Sequence, residues 1–118
     1  MRVAVIALLA FGCASAAEVP FDEPVTVQFG ESIVVGSERT SITFVDVADS
    51  RCPRNAICVW QGEVHVRLGV GTENFDVKVP GTISAAGYAI DVREVTPYPD
   101  DPPPPKSSYR VTVVVRRQ

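Results

Sequence analysis

The chain has 118 residues, enough for one domain, with 11 basic and 14 acidic side chains and a formal net charge of −3. Because the positive charge is not clustered, we expect no nucleic-acid partner. The longest apolar run is far shorter than the roughly 20 residues that a membrane-spanning helix needs, so we expect no membrane span.

Residues 1–17, MRVAVIALLAFGCASAA, have the pattern of a secretory signal peptide. A single Arg2 precedes an apolar run over 3–11, and Ala14-Ser15-Ala16 fits an A-x-A cleavage site. The predicted organisation is therefore a signal peptide over 1–17 and one domain over 18–118. We expect the domain to be secreted or periplasmic.

Cys13 offers an alternative interpretation of the same segment. It could be the lipid-bearing first residue of a lipoprotein, in which case the domain is anchored through Cys13. The three preceding residues, Ala10, Phe11 and Gly12, fit a lipoprotein signal less well than the A-x-A site fits simple export. We therefore favour export without an anchor.

Short runs rich in β-branched and aromatic residues follow, separated by Gly, Pro, Ser and Asp, and no window has helical periodicity. The predicted strands, in chain order, are 25–29, 31–35, 42–48, 58–70, 75–79, 88–95 and 109–115. A slip in the alternation between Phe44 and Val45 predicts a bulge, or a strand covered on both faces. About seven short strands without helices indicate an all-β fold and predict a two-sheet sandwich, with a small β-barrel as the alternative.

The clearest alternation is in CVWQGEVHVRLGV, residues 58–70. It places Cys58, Trp60 and Val64 on one face of a strand and His65 on the other. We therefore expect Trp60 to pack in the core beside the sulfur of Cys58.

Proline dominates the interval TPYPDDPPPPKSS, residues 96–108, before the last strand. Four consecutive prolines favour an extended polyproline segment that cannot donate to a β-ladder. We interpret it as a rigid surface loop; the alternative is a ligand for an aromatic groove.

Cys52 and Cys58 are the two cysteines left after removal or acylation of Cys13. A zinc site needs about four ligands, whereas this domain has two cysteines and one histidine, His65, on the opposite strand face. A thioredoxin-like centre needs C-x-x-C before a helix, and the spacing here is longer. The sequence therefore predicts a disulfide, and we expect no metal and no cofactor.

The acidic residues do not form a catalytic motif. His65 is predicted among charged neighbours on a wet strand face; the 14 acids allow many carboxylate pairs, but none stands at a motif. Asp49 is expected to hydrogen-bond a backbone amide two residues on; with Asp46 and Ser50 it could instead coordinate calcium. We expect a protein that is not an enzyme.

The loop closed by the disulfide is the candidate binding surface. A rigid loop loses little entropy on binding, and Arg51, Arg54 and Asn55 are its candidate contact residues. The predicted function is a binding or interaction module whose partner is an envelope or extracellular protein. Three alternatives stay open: a merely solvated connection, an inhibitor of an extracytoplasmic hydrolase, and a carboxylate-based enzyme.

The run from Asp49 to Gly62, D-S-R-C-P-x-x-x-x-C-x-W-x-G, resembles a group of small exported bacterial proteins and lipoproteins of unassigned function. Such domains tend to have a preceding I-T-F-like strand, here 42–44, and a final Y-x-V-T-V-like strand, here 109–113. The resemblance covers residues 24–70 and the last strand. It implies export, a disulfide and one compact domain, and it implies no activity.

Overall fold

A computed structural model describes residues 18–118. The predicted signal peptide and Cys13 lie outside the described residues. Eight strands form in this part of the chain, because valine-rich alternating runs each bury one face. They are β1 (Pro24–Gln28), β2 (Ser32–Val35), β3 (Thr40–Asp49), β4 (Val64–Val70), β5 (Glu73–Val79), β6 (Gly81–Ala85), β7 (Tyr88–Thr96) and β8 (Arg110–Arg117).

The strands form two antiparallel sheets of four that are not closed into a barrel. Sheet I has the order β1-β8-β7-β6, and sheet II has the order β2-β3-β4-β5. The predicted two-sheet sandwich is therefore confirmed, and the barrel alternative is wrong. A three-residue 3₁₀ turn, Lys106–Ser108, precedes β8, and no helix in the described residues is long and apolar enough to span a membrane.

The core lies between the inner faces of the sheets and consists of apolar side chains. Its largest fully buried members are Phe44, Ile42, Leu68 and Ile90, packed among valines of β4, β7 and β8. These positions follow the two-residue period predicted from sequence, since burial of alternate residues is what a half-covered sheet requires.

The bulge predicted near Phe44 is confirmed. Phe44 pairs with Leu68 but the next pair is Asp46 with Arg67, so Val45 is the extra residue in β3 and is 39% exposed. The extra residue lets Phe44 and Val47 both face the core despite their odd spacing.

Two features of the chain differ from prediction. A strand over Gly81–Ala85, β6, was not predicted. The predicted strand 58–70 begins only at Val64, and residues 58–63 belong to a loop. Gly62 ends the alternation because its φ is +70°, and a Cβ there would collide with the carbonyl oxygen of Ser50.

The prediction that Trp60 packs in the core is wrong. Trp60 is 63% exposed because its apparent place in the alternation is not part of a strand. Trp60 and the buried Val64 lie an even number of positions apart, but this does not place them on the same face of a strand.

Glu18, the first described residue, and the disulfide loop lie at opposite ends of sheet II. Glu18 bridges to Val34, which pairs with Ser41 near the start of β3, whereas the loop follows Asp49 at the end of β3. At about 3.3 Å per residue, Ser41 and Asp49 are roughly 26 Å apart. We call the end with Asp49 the loop pole.

Substitutions should distinguish the two aromatic positions. We expect Phe44→Ala to lower the free energy of unfolding by about 3–5 kcal/mol, because it empties a fully buried site. Trp60→Ala should change it by no more than about 0.5 kcal/mol, as for other exposed positions. Urea melts of both variants check this; a large loss for Trp60→Ala would mean that the indole is packed.

Candidate functional site

The disulfide loop, residues 50–63, leaves the loop pole through a narrow neck. Ser50 N donates to Glu63 O at 2.9 Å, and Cys52 N donates to Gln61 O at 2.8 Å. The Ser50 hydroxyl also donates to Glu63 O at 2.7 Å. Close approach at Gly62 allows this pairing, so the loop starts and ends at one point on the sandwich.

The predicted disulfide is confirmed. Cys52 and Cys58 are bonded, with a Cα–Cα distance of 5.9 Å that falls in the usual range for such bridges. A structural disulfide indicates an oxidising, non-cytoplasmic environment.

Asp49 and Arg51 form an almost buried ion pair at the base of the loop. The guanidinium donates to Asp49 from Nε at 2.9 Å and from Nη2 at 2.8 Å, and the two side chains are 6% and 15% exposed. Tyr109 donates its hydroxyl to the same carboxylate at 2.8 Å. The backbone amide of Arg51 donates to Asp49 Oδ1 at 3.1 Å, which confirms the predicted hydrogen bond two residues on.

Arg51 also joins the loop to the end of β7 and to the chain that follows it. Its Nη1 donates to Val95 O at 3.0 Å and its Nη2 to Pro97 O at 3.1 Å. The guanidinium lies 4.9 Å from the ring centroid of Tyr98, a cation–π distance. Arg51, predicted as a contact residue, thus has its donors engaged within the domain.

Burial and hydrogen bonding act in opposite directions on this carboxylate. Burial raises the pKa of Asp49, but hydrogen bonds from Arg51 and Tyr109 outweigh it and hold that pKa below its ordinary value. Burial, followed by the hydrogen bond to Asp49, raises the pKa of Tyr109 to about 12. Asp49 is therefore a charged structural group and Tyr109 a neutral donor at physiological pH.

Arg54 and Asn55 bind the proline-rich segment, residues 97–105. Arg54 N donates to Pro99 O at 3.1 Å, and its guanidinium pairs with Asp100 at 3.1 Å. Asn55 and Asp101 exchange two hydrogen bonds of 2.9 Å each. The structure brings these two predicted residues together with the proline-rich segment, and their part in binding stays a prediction. We call residues 51–56 the anchored limb.

Residues 57–60 form the other side of the loop and project into solvent. Ile57 and Val59 are fully exposed, at 103% and 104%, and Trp60 is 63% exposed. We call this segment the apolar limb. Sequence reasoning missed it because the period-two pattern assigned Trp60 to a strand; Gly62 was the signal that the strand does not reach back so far.

Other polar groups pair with their neighbours. His65 lies 3.1 Å from Glu63, and Asp46 accepts a 2.7 Å hydrogen bond from Lys106. Between Glu18 and Gln118, no group of three or more His, Cys, Asp or Glu side chains is arranged to hold a metal ion.

No protein-family model matches this chain, and neither the curated proteins nor the solved structures show a significant match.

Tyr109→Phe tests the base of the loop. We expect it to lower the free energy of unfolding by about 1.5–3 kcal/mol, because a buried carboxylate loses a hydrogen bond while the ring packing is kept. Tyr98→Phe is the matched control and should be near neutral, since the Arg51 contact uses the ring face. Equal losses for the two variants, measured by urea melts, would contradict this assignment.

The raised pKa of Tyr109 has a signature in the pH dependence of stability. A folded-state pKa of about 12, above the ordinary value of 10, contributes stability that is complete below pH 10. This contribution is lost as the pH rises from 10 to about 12, and Tyr109→Phe should lose less over that window. Thermal melts between pH 9 and about 12 measure the difference; parallel decline of the two proteins would contradict it.

Proposed function

We propose that this domain is an extracytoplasmic binding module that presents the apolar limb to a protein partner. The observation that carries the proposal is the exposure of Ile57, Val59 and Trp60 on a loop that is cross-linked and hydrogen-bonded at its base. Exposed apolar groups rimmed by polar residues are typical of interaction sites, and tryptophan is enriched at binding hot spots.

The proposed compartment is the periplasm or the outside of the cell. The disulfide supports an oxidising environment, and the signal-like segment 1–17 supports export. Anchoring through Cys13 is the alternative within this proposal.

The shape of the limb favours a concave partner over a second copy. Three such side chains expose on the order of 400 Å² of apolar surface. A stable dimer interface buries about 800 Å² per partner, so the limb alone is too small for self-association. A convex tip of this size fits an apolar cleft, as aromatic anchors do at other interfaces.

Charge supports a basic rim around that cleft. Residues 18–118 carry all 14 acidic side chains and 10 basic ones, the total of 11 less Arg2, so the net charge is −4. Asp101 is exposed beside the loop and forms no ion pair within the described residues. Complementary charge on a partner would steer association and fix its orientation.

The charge of the domain argues against an anionic lipid surface as the partner. Residues 18–118 carry a net charge of −4, and anionic lipid attracts basic segments, not acidic ones.

The acidic residues on the outer face of sheet II support binding over catalysis. A depression of about 240 Å³ on the outer face of sheet II contains two carboxylates, Asp46 and Asp76. Hydrogen bonds from Lys106 and Arg67 respectively lower the pKa of each. A carboxyl pair for acid–base catalysis needs one member with a raised pKa, and this pair has none.

Inhibition of an extracytoplasmic hydrolase is the second candidate function. The anchored limb supports it, because hydrogen bonds to the proline-rich segment already order this part of the loop. The loop would therefore lose less conformational entropy on entering the cleft of an enzyme. Assays of a protease and lysozyme panel, with and without the protein, distinguish inhibition from binding alone.

The test is affinity capture from envelope extract by immobilised protein, in three forms. A partner retained by wild type should be retained by Val45→Ala, which alters an exposed valine on the sheet, and lost with Trp60→Ala. Truncating a central aromatic anchor typically costs 2 kcal/mol or more, about a 30-fold weakening. Equal capture by all three forms, or equal retention on anionic lipid vesicles, would contradict the proposal.

A further inference from the structure

The two sides of the disulfide loop are held by different forces. The anchored limb has backbone and side-chain hydrogen bonds to the rest of the domain, among them Arg54 N to Pro99 O and the pair between Asn55 and Asp101. Within residues 18–118, no hydrogen bond joins the apolar limb to any other part of the chain. Ile57 and Val59 are fully exposed and Trp60 is 63% exposed, so packing contributes little to holding the apolar limb.

The disulfide is therefore what fixes the apolar limb. Cys58 lies between the two fully exposed side chains Ile57 and Val59, and it is itself exposed, whereas Cys52 is half-buried on the anchored side. A disulfide at an exposed cysteine is open to attack by a thiolate.

We propose that the Cys52–Cys58 disulfide is a redox latch, which on reduction frees the apolar limb while the anchored limb and the sandwich stay folded. The functional consequence of the latch is the loss of a pre-ordered binding surface, and this consequence rests on the proposed function. Its structural effect belongs to the protein alone and needs no partner.

The reductant is a thiol or dithiol. Its thiolate attacks the sulfur of the exposed Cys58, the bond to Cys52 breaks, and the Cys52 thiolate leaves and takes up a proton. A second thiol then attacks the mixed disulfide and releases Cys58 as a thiol. The protein disulfide gains two electrons and two protons, and the reductant leaves as its own disulfide.

The remaining contacts of the loop do not depend on the sulfur atoms. The neck closes through Ser50 and Glu63, and Asp49, Arg51 and Tyr109 form their network below it. The bridge closes only a short loop, for which the entropic effect on the unfolded chain is small. Reduction should therefore act locally.

Backbone ¹⁵N relaxation of the protein before and after dithiothreitol treatment tests the latch. In the oxidised protein, we expect order parameters near 0.85 across the loop; after reduction, those of residues 57–60 should fall below about 0.6. Those of Arg54, Asn55 and the buried β4 residue Val66 should not change. The double variant Cys52→Ser, Cys58→Ser should reproduce the reduced state, and Asn55→Ala should leave the oxidised apolar limb ordered.

Two results would overturn the latch. One is an apolar limb that keeps its order after reduction; the other is loss of order in the anchored limb or loss of chemical-shift dispersion throughout the domain. The dithiothreitol arm decides the question even if the double variant fails to fold. If reduction frees the apolar limb but no captured partner is sensitive to Trp60→Ala, the proposed function is refuted and the latch is not. If such a partner is captured but reduction leaves the apolar limb ordered, the latch is refuted and the proposed function is not.

Discussion

The ion pair between Asp49 and Arg51 is the interaction on which the loop depends. A carboxylate that is 6% exposed is costly unless its oxygens are occupied, and here Arg51 and Tyr109 occupy them. The same guanidinium donates hydrogen bonds to the carbonyl oxygens of Val95 and Pro97. The ion pair thus joins the end of β3 to the end of β7 and the chain after it, and Tyr109, the residue before β8, donates to its carboxylate. It fixes where the disulfide loop leaves the sandwich.

The hydrogen bonding at the base of the disulfide loop has a consequence for function. Because Arg51, Arg54 and Asn55 direct their polar atoms toward the domain, the loop presents apolar side chains to solvent. Polar groups therefore supply rigidity, and Ile57, Val59 and Trp60 supply exposed apolar area. This division is common in binding loops, where affinity comes from a few anchors and order is established before binding.

Alternation was sufficient to predict most of the sandwich, because burial of one sheet face imposes a period of two on the sequence. The bulge at Val45 was visible for the same reason. The short strand β6 was not, since Pro80-Gly81 looked like a break and its inner side chains are few. The disulfide followed from cysteine spacing. The exposure of Trp60 did not, because a period-two pattern extends through a loop as readily as through a strand, and only the positive φ of Gly62 separates them.

The proposed binding role depends most directly on the exposure of Trp60, which is measurable because the chain contains one tryptophan. All tryptophan fluorescence therefore reports on the apolar limb. We expect a solvent-like, red-shifted emission in the folded protein, open to quenching by iodide and changed little by urea unfolding. A blue-shifted emission that resists iodide and moves to the red only on unfolding would contradict it.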